Sequence, residues 1–149
     1  MKLVTYDSTL LPEMGSKYST CFDLKSAEDV TINPGEVKLV WLWVKTNFAS
    51  KIYARSSLPL KKGLMLANSV WIIDEDYRGE IKAMFYNFTD KPVEIKQGER
   101  VAQMEPWKDD IIDFIVDKET YEKWDKWEDT ERWVGGFGST GWYLSSNEN

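Results

Sequence analysis

The sequence has no histidine, and Cys21 is its only cysteine in 149 residues. A disulfide within the chain is therefore excluded, histidine-based catalytic triads are excluded, and the usual zinc sites lack their ligands. Any metal here would be a hard cation held by oxygen, for which Mg²⁺ is the natural choice. Positive charge is also short, with 19 Lys and Arg against 25 Asp and Glu for a net charge of -6. No basic stripe is available to displace counterions, so binding to nucleic acid is not expected. A small polyphosphate stays open, because it needs only a local cluster of Arg, Lys and backbone N–H groups. Long apolar runs are missing too. The longest, Leu39 to Val44, is far too short to cross a bilayer, and residues 1–7 carry no secretory apolar segment. The expectation is a cytoplasmic protein with no membrane partner.

A hydrophobic content of 42% is enough for one ordinary core, hence one domain. Strand signals recur at intervals of roughly eight to twelve residues, with no long helical period before residue 117, and predict an all-β barrel or sandwich. Short strands are expected at Leu3-Val4, 20–24, 30–32, 37–44, 51–55, 93–95 and 100–104, the last two joined across Lys96-Gln97-Gly98-Glu99. Both faces of 37–44 are largely apolar, which predicts that strand to be covered on both sides. Pro59 and Gly63 bound a single helical turn. Asp110 to Val116 suits a further strand. Beyond it Tyr121, Trp124 and Trp127, three apart after a potential N-cap at Asp117, predict a short helix whose aromatic stripe packs on a neighbour. The glycines at 135, 136, 138 and 141 leave the end of the chain a flexible tail.

The segment from Leu66 to Asn87 carries the most chemistry. Two apolar runs, Val70 to Ile73 and Ile81 to Phe88, flank Asp74-Glu75-Asp76-Tyr77-Arg78-Gly79. A β-hairpin is the natural reading, with Gly79 available for a positive φ. Strand alternation would set Asp74 and Asp76 on one face and Glu75 and Tyr77 on the other. Taken alone, three carboxylates so close together fit a solvated hairpin tip as well as a catalytic cluster. Arg55-Ser56-Ser57 at a strand end, and Gly98 to Gln103, are each equally compatible with an exposed loop. The terminal run Arg132 to Gly141 could wrap phosphates with unhindered N–H groups, but it is not a P-loop, since no Lys follows its glycines.

Their order along the chain is more telling. Thr20-Cys21-Phe22-Asp23-Leu24, Arg55-Ser56-Ser57-Leu58, Trp71 to Gly79, Gly98-Glu99-Arg100-Val101-Ala102-Gln103 and Arg132 to Gly141 follow one another as five motifs. This series resembles the trimeric dUTP diphosphatase (dUTPase) family and spans residues 20–141. The resemblance implies a jelly-roll-like β-barrel over residues 1–131, with a short helical insertion near 107–130. It also implies a flexible glycine-rich arm, 132–149, that closes over the active site. It further implies a homotrimer with active sites shared between subunits, hydrolysis of dUTP to dUMP and diphosphate, and Mg²⁺ as cofactor.

By that resemblance Asp74 is the general base that activates water against the α-phosphorus. Arg55 contacts phosphate or supports Asp74. Ser56 and Gln103 hold phosphate oxygens, Ser57 is a further substrate-binding residue, and Asp23 meets the Mg²⁺ through water, the ion being held mainly by the triphosphate. Tyr77 packs on the deoxyribose and leaves no space for a 2′-hydroxyl. Asn68 and the hairpin backbone, including Ile73, read the uracil edge. From the arm, Phe137 stacks on uracil, Arg132 faces the γ-phosphate, and Gly138 and Ser139 complete the enclosure. Cys21, Ser57, Trp71 and Trp133 each replace a glycine common in the family, and the Trp71 ring would close the base pocket unless it points away. Two rivals remain. A dCTP deaminase shares the fold and the Arg-Ser-Ser-Leu sequence, but it needs a glutamate where Met84 precedes Phe85-Tyr86-Asn87. A nucleotide-sensing or partner-binding protein on the same fold would bind without turnover.

Overall fold

The computed structural model describes residues 1–126 and Gly135. Twelve strands order the described chain: β1 (Lys2–Thr5), β2 (Glu13–Met14), β3 (Phe22–Lys25), β4 (Val30–Ile32), β5 (Val37–Thr46), β6 (Ser50–Ala54), β7 (Leu64–Leu66), β8 (Trp71–Ile73), β9 (Ile81–Asn87), β10 (Val93–Ile95), β11 (Arg100–Pro106) and β12 (Asp113–Val116). Two short helices interrupt them, α1 (Ser57–Lys62) and α2 (Lys118–Lys123). The strands form one five-stranded sheet in the order β12-β1-β5-β9-β7, a second in the order β2-β3-β11-β6-β8, and a β10-β4 ribbon. All pairings are antiparallel except β1 with β12.

The two sheets share one core. Val40, Leu42, Val44, Ile81, Ala83 and Phe85 from the first meet Leu24, Ile52, Ile73, Ala102 and Met104 from the second, while Ile32 and Ile95 close the ribbon end. In β9 the alternation is strict, with Ile81, Ala83, Phe85 and Asn87 inward, as a strand with one buried face requires. Asn87, fully buried, is satisfied: its side-chain amide donates to the Ile32 and Lys91 carbonyls, and its oxygen accepts from the Thr89 N–H. The result is the expected all-β, jelly-roll-like architecture.

Several local expectations are corrected. Residues 70–88 are not a two-stranded hairpin, because β8 pairs with β6 whereas β9 lies between β5 and β7 in the other sheet. Both edges of β9 are taken, so β8 has no place beside it. Residues 74–80 instead cross between sheets. They begin with a tight turn in which the Tyr77 N–H donates to the Asp74 carbonyl at 3.1 Å, and strand alternation does not apply to them. Positive φ is found at Gly35, Gly63 and Gly98, not at Gly79. What excludes a side chain at Gly79 is the Tyr77 ring, which a Cβ there would meet at 2.5 Å. Likewise β10 and β11 follow one another without pairing.

Among the described residues, strand β5 is not covered on both faces. Val37, Leu39 and Trp41 are 54%, 36% and 39% exposed, so this apolar stripe is open. Near its end β5 carries a bulge between Trp41 and Val44, with Trp43 at φ 48°, a strained conformation for a residue other than glycine.

The helices follow their signals. Gly63 ends α1 in the left-handed conformation, its N–H donating to the Pro59 carbonyl at 3.1 Å. Asp117 caps α2, its side chain accepting from the Thr120 N–H at 2.7 Å, and Tyr121 and Trp124 pack on Val4, Tyr6, Trp43 and Ile115. Tyr121 and Trp124, the described part of the stripe, are packing, as their spacing predicts. Trp127, the insertion beyond 126, Trp133 and the rest of the arm apart from Gly135 lie outside the described residues.

Candidate active site

Strand β11 is the spine of the principal cleft. It sits between β3 and β6, with Gln103 opposite Asp23 on one side and Tyr53 on the other. Equal register places all three side chains on one face of the sheet. Gln103 donates from Nε2 to the Ala54 carbonyl at 2.9 Å, which orients its amide toward the end of β6. There Arg55 turns back to Asp23, Nε to Oδ1 at 3.0 Å, and Arg100 reaches the other oxygen, Nη1 to Oδ2 at 3.4 Å. Asp23 is only 7% exposed, so these two guanidinium groups supply the partners a buried carboxylate requires. Asp23, Arg55, Ser56 and Gln103 line a cleft of about 380 Å³ whose other wall is Gly15 and Ser19 to Cys21. Sequence reasoning quoted Arg100 within a motif but gave it no role; the pairing of β11 with β3 is what brings it to Asp23.

Ser56 is exposed at the cleft mouth and Ser57 begins α1, half-buried. Lys62 ties that helix to the turn before β11, with Nζ 2.6 Å from Glu99 and 2.7 Å from the Glu94 carbonyl. The second and fourth motifs are thus held rigidly against each other. Burial and the nearby Glu105 and Asp23 carboxylates push the Cys21 thiol up, which disfavours the thiolate of this cleft-lining cysteine.

The third motif is elsewhere. Ile73 pairs with Ser50, while Arg55 lies beyond Ala54 at the other end of β6, roughly 16 Å away at the rise of an extended strand. One chain therefore does not bring Asp74 to Arg55, and a supporting contact between these two within a subunit is ruled out. Asp74 is half-buried at the start of the crossing turn. Arg78, 3% exposed, donates from Nη1 to the Glu75 carbonyl at 2.6 Å and clamps the turn from inside. Tyr77 is 7% exposed, and its hydroxyl donates to the Glu80 carbonyl at 2.9 Å. Burial and the Glu80 carboxyl push the Tyr77 phenol up to about 12, so it stays neutral.

Asn68 is exposed in the turn between β7 and β8, followed by Ser69 at φ 64°. Ile73 is buried. Trp71, opposite Ile52, is half-buried against the common core, so its ring is partly taken up by packing. Arg132, Phe137, Gly138 and Ser139 lie outside the described residues. Glu80 was missed altogether: it lines a second cleft, of about 360 Å³, with Tyr77, Trp41, Trp43, Lys45, Lys82 and Tyr121. Burial pushes its carboxyl up to about 8, opposed by Lys45, Lys82 and the N–H groups of Trp43 and Val44. The sequence signal was faint, one more acid after a run of three.

Fold and cleft together define an all-β protein with a polar, arginine-lined site suited to a phosphorylated ligand. Comparison with known proteins narrows the class. The family model described as dUTPase matches residues 7–141. A deoxyuridine 5′-triphosphate nucleotidohydrolase of Nautilia profundicola is 40% identical over 136 residues, covering 89% of this chain and 91% of that protein. Its counterpart in Lactococcus lactis is 37% identical over 141 residues, covering 88% and 87%. The crystal structure of dUTPase from Streptococcus mutans superposes with a TM-score of 0.67 at 37% identity, covering 73% of this chain and 93% of that one. A Staphylococcus bacteriophage dUTPase, 19% identical with a TM-score of 0.61, shares the fold. The chain belongs to the dUTPase family.

Proposed function

We propose that this protein hydrolyses dUTP to dUMP and diphosphate at sites shared between copies of the chain in a homotrimer. The observation that carries the shared site is the split of its parts within one subunit: Asp23, Arg55, Ser56 and Gln103 in one cleft, Asp74 and Tyr77 at the far end of the same sheet. A single triphosphate can meet both halves only if a second copy brings its crossing turn to the first copy's cleft. The open Val37-Leu39-Trp41 stripe gives such copies apolar surface to bury.

In this reading Asp74 takes a proton from water as the water oxygen bonds to the α-phosphorus. The bond from that phosphorus to the bridging oxygen breaks, and diphosphate leaves with the electron pair. Arg55, Ser56 and Gln103 hold phosphate oxygens, with Ser57 binding substrate beside them. Tyr77 presses on the deoxyribose, while Asn68 and the backbone near Ile73 read uracil. Arg132, Phe137, Gly138 and Ser139 close the site from the 132–149 arm, expelling water and strengthening the charge interactions beneath it.

Among the described residues no cluster of three metal-ligating side chains occurs. Both Asp23 oxygens already face guanidinium groups. That donor set fits a Mg²⁺ carried in by the triphosphate, with Asp23 touching its hydration shell. Bound there, the ion would neutralise charge on the leaving diphosphate.

The test is diphosphate release by the purified chain with Mg²⁺, offered dUTP, dTTP, dCTP and UTP in turn. Rapid release from dUTP alone is expected. Binding of a non-hydrolysable dUTP analogue without release would favour the nucleotide sensor instead, and ammonia from dCTP the deaminase.

A further inference from the structure

Two of the residues proposed above as nucleoside contacts converge on the start of β9. The Tyr77 hydroxyl donates to the Glu80 carbonyl at 2.9 Å, which ties the ring assigned to the sugar to a residue two positions before Lys82. From the other side comes the turn that carries Asn68. Strands β7 and β9 pair as far as Leu66 opposite Phe85, and the Ala67 N–H continues the contact by donating to the Met84 carbonyl at 2.8 Å. The turn is thereby held two residues from Lys82. Neighbouring strands lie only about 4.8 Å apart, so a lysine at this position is within reach of a base held by Asn68.

The Lys82 side chain is also held in place. In β9 Ile81, Ala83 and Phe85 are buried, so alternation sends Lys82 to the outer face, where it lines the cleft of about 360 Å³ together with Tyr77, Trp41 and Glu80. Opposite it in the β5 ladder stands Trp41, and the ammonium lies 3.8 Å from that ring's centroid. A cation over an indole face is attracted by the ring's quadrupole without using any of its N–H donors in a conventional hydrogen bond. Lys45, the other cation of the cleft, differs: it donates to the Tyr121 carbonyl at 3.0 Å. Lys82 makes no hydrogen bond or ion pair among the described residues, so its N–H donors are open to a ligand.

An ammonium donates and cannot accept. Uracil offers a carbonyl oxygen at its 4-position, where cytosine carries an amino group that donates. A lysine facing that edge therefore favours the first base and disfavours the second, and it is blind to the 5-methyl that separates thymine from uracil. We infer that Lys82, steadied by the Trp41 ring, is a specificity-determining residue that donates to the 4-oxygen of uracil and sets the preference for dUTP over dCTP. The inference rests on the reading of Asn68 and Tyr77 as nucleoside contacts.

The experiment measures kcat/KM for dUTP, dTTP and dCTP, together with Tm, for the full-length protein and its Lys82→Met, Lys82→Arg and Lys82→Glu variants. Losing a charge-assisted hydrogen bond costs on the order of ten- to a hundredfold, so Lys82→Met should lower kcat/KM for dUTP and dTTP by about that factor and leave dCTP unchanged or improved. The ratio of dUTP to dTTP should hold, since both bases carry the 4-oxygen. Lys82→Arg keeps the donors and should keep the preference for dUTP over dCTP. Lys82→Glu, which accepts instead of donating, should shift the preference furthest toward dCTP. An equal loss for all three nucleotides would mean that Lys82 acts on phosphate or on the fold, and overturns the proposal. Unchanged kinetics in the folded methionine variant overturn it too. Should the wild-type protein release no diphosphate from any nucleotide, the hydrolase reading fails separately, and base preference is read from binding of non-hydrolysable dUTP and dCTP analogues. Lys82→Met must then narrow that preference, and an unchanged preference rejects the role.

Discussion

At the scale of single residues, Asp74 carries the proposed chemistry and Glu80 a dependence of stability on pH. Replacement of Asp74 by Asn keeps the shape of the side chain but removes its basicity, so kcat for dUTP should fall about 10²- to 10⁴-fold while nucleotide binding persists. Steady-state kinetics with a parallel binding titration separates the two. Glu80 also makes stability depend on pH. Its ordinary value is 4.5 and burial raises it to about 8, with Lys45, Lys82 and the Trp43 and Val44 N–H groups opposing, and Tyr77 and Tyr121 lining the same cleft. Between those two values the folded protein holds a proton that the unfolded chain has released, so stability falls as pH rises through this window. Tm measured from pH 5 to 8 should show a decline that Glu80→Gln, which does not titrate, lacks. Asp23, Arg55, Ser56 and Gln103, quoted from three separate motifs, line one cleft. Their partners were not legible in the sequence. Which guanidinium meets Asp23 depends on the β3-β11 register, and no local pattern encodes that.

Strands and helices repeat the lesson one level up. Periodicity located most elements to within a residue or two, since alternation and turn residues are local signals. It could not say which strand lies beside which. Residues 70–88 have every mark of a hairpin, yet the two strands belong to opposite sheets, because β5 and β7 already occupy both edges of β9. The bulge in β5 was hidden for the same reason: Trp43 at φ 48° is imposed by tertiary contacts against its own propensity. Helix α2, by contrast, was readable from its cap and stripe. Six residues are too few to be stable alone, so α2 depends on the aromatic side chains it lays against β1 and β5. Trp124 is fully buried and donates from Nε1 to the Thr46 carbonyl at 3.3 Å. Trp124→Ala should cost about 3–5 kcal/mol, measured by urea unfolding. A change under 1 kcal/mol would mean that α2 is not anchored through this ring.

For the whole molecule, the proposed shared site rests on one chain setting Arg55 and Asp74 at opposite ends of β6. The open stripe of Val37, Leu39 and Trp41 fits the same proposal, since the sequence marks both faces of β5 as apolar and the described residues cover only one. Composition could see the apolar faces but not which of them the fold leaves open. Subunit complementation tests this most directly. Two variants, Asp74→Asn and Arg55→Ala, are each expected to be nearly inactive alone; refolded together, they should form mixed trimers. If each site takes Asp74 from one copy and Arg55 from the next, every mixed trimer contains one intact site, and equal random mixing should restore about a quarter of wild-type activity. Mixed trimers with no activity above that of the separate variants would contradict the account, because they would place Asp74 and Arg55 of one chain in the same site.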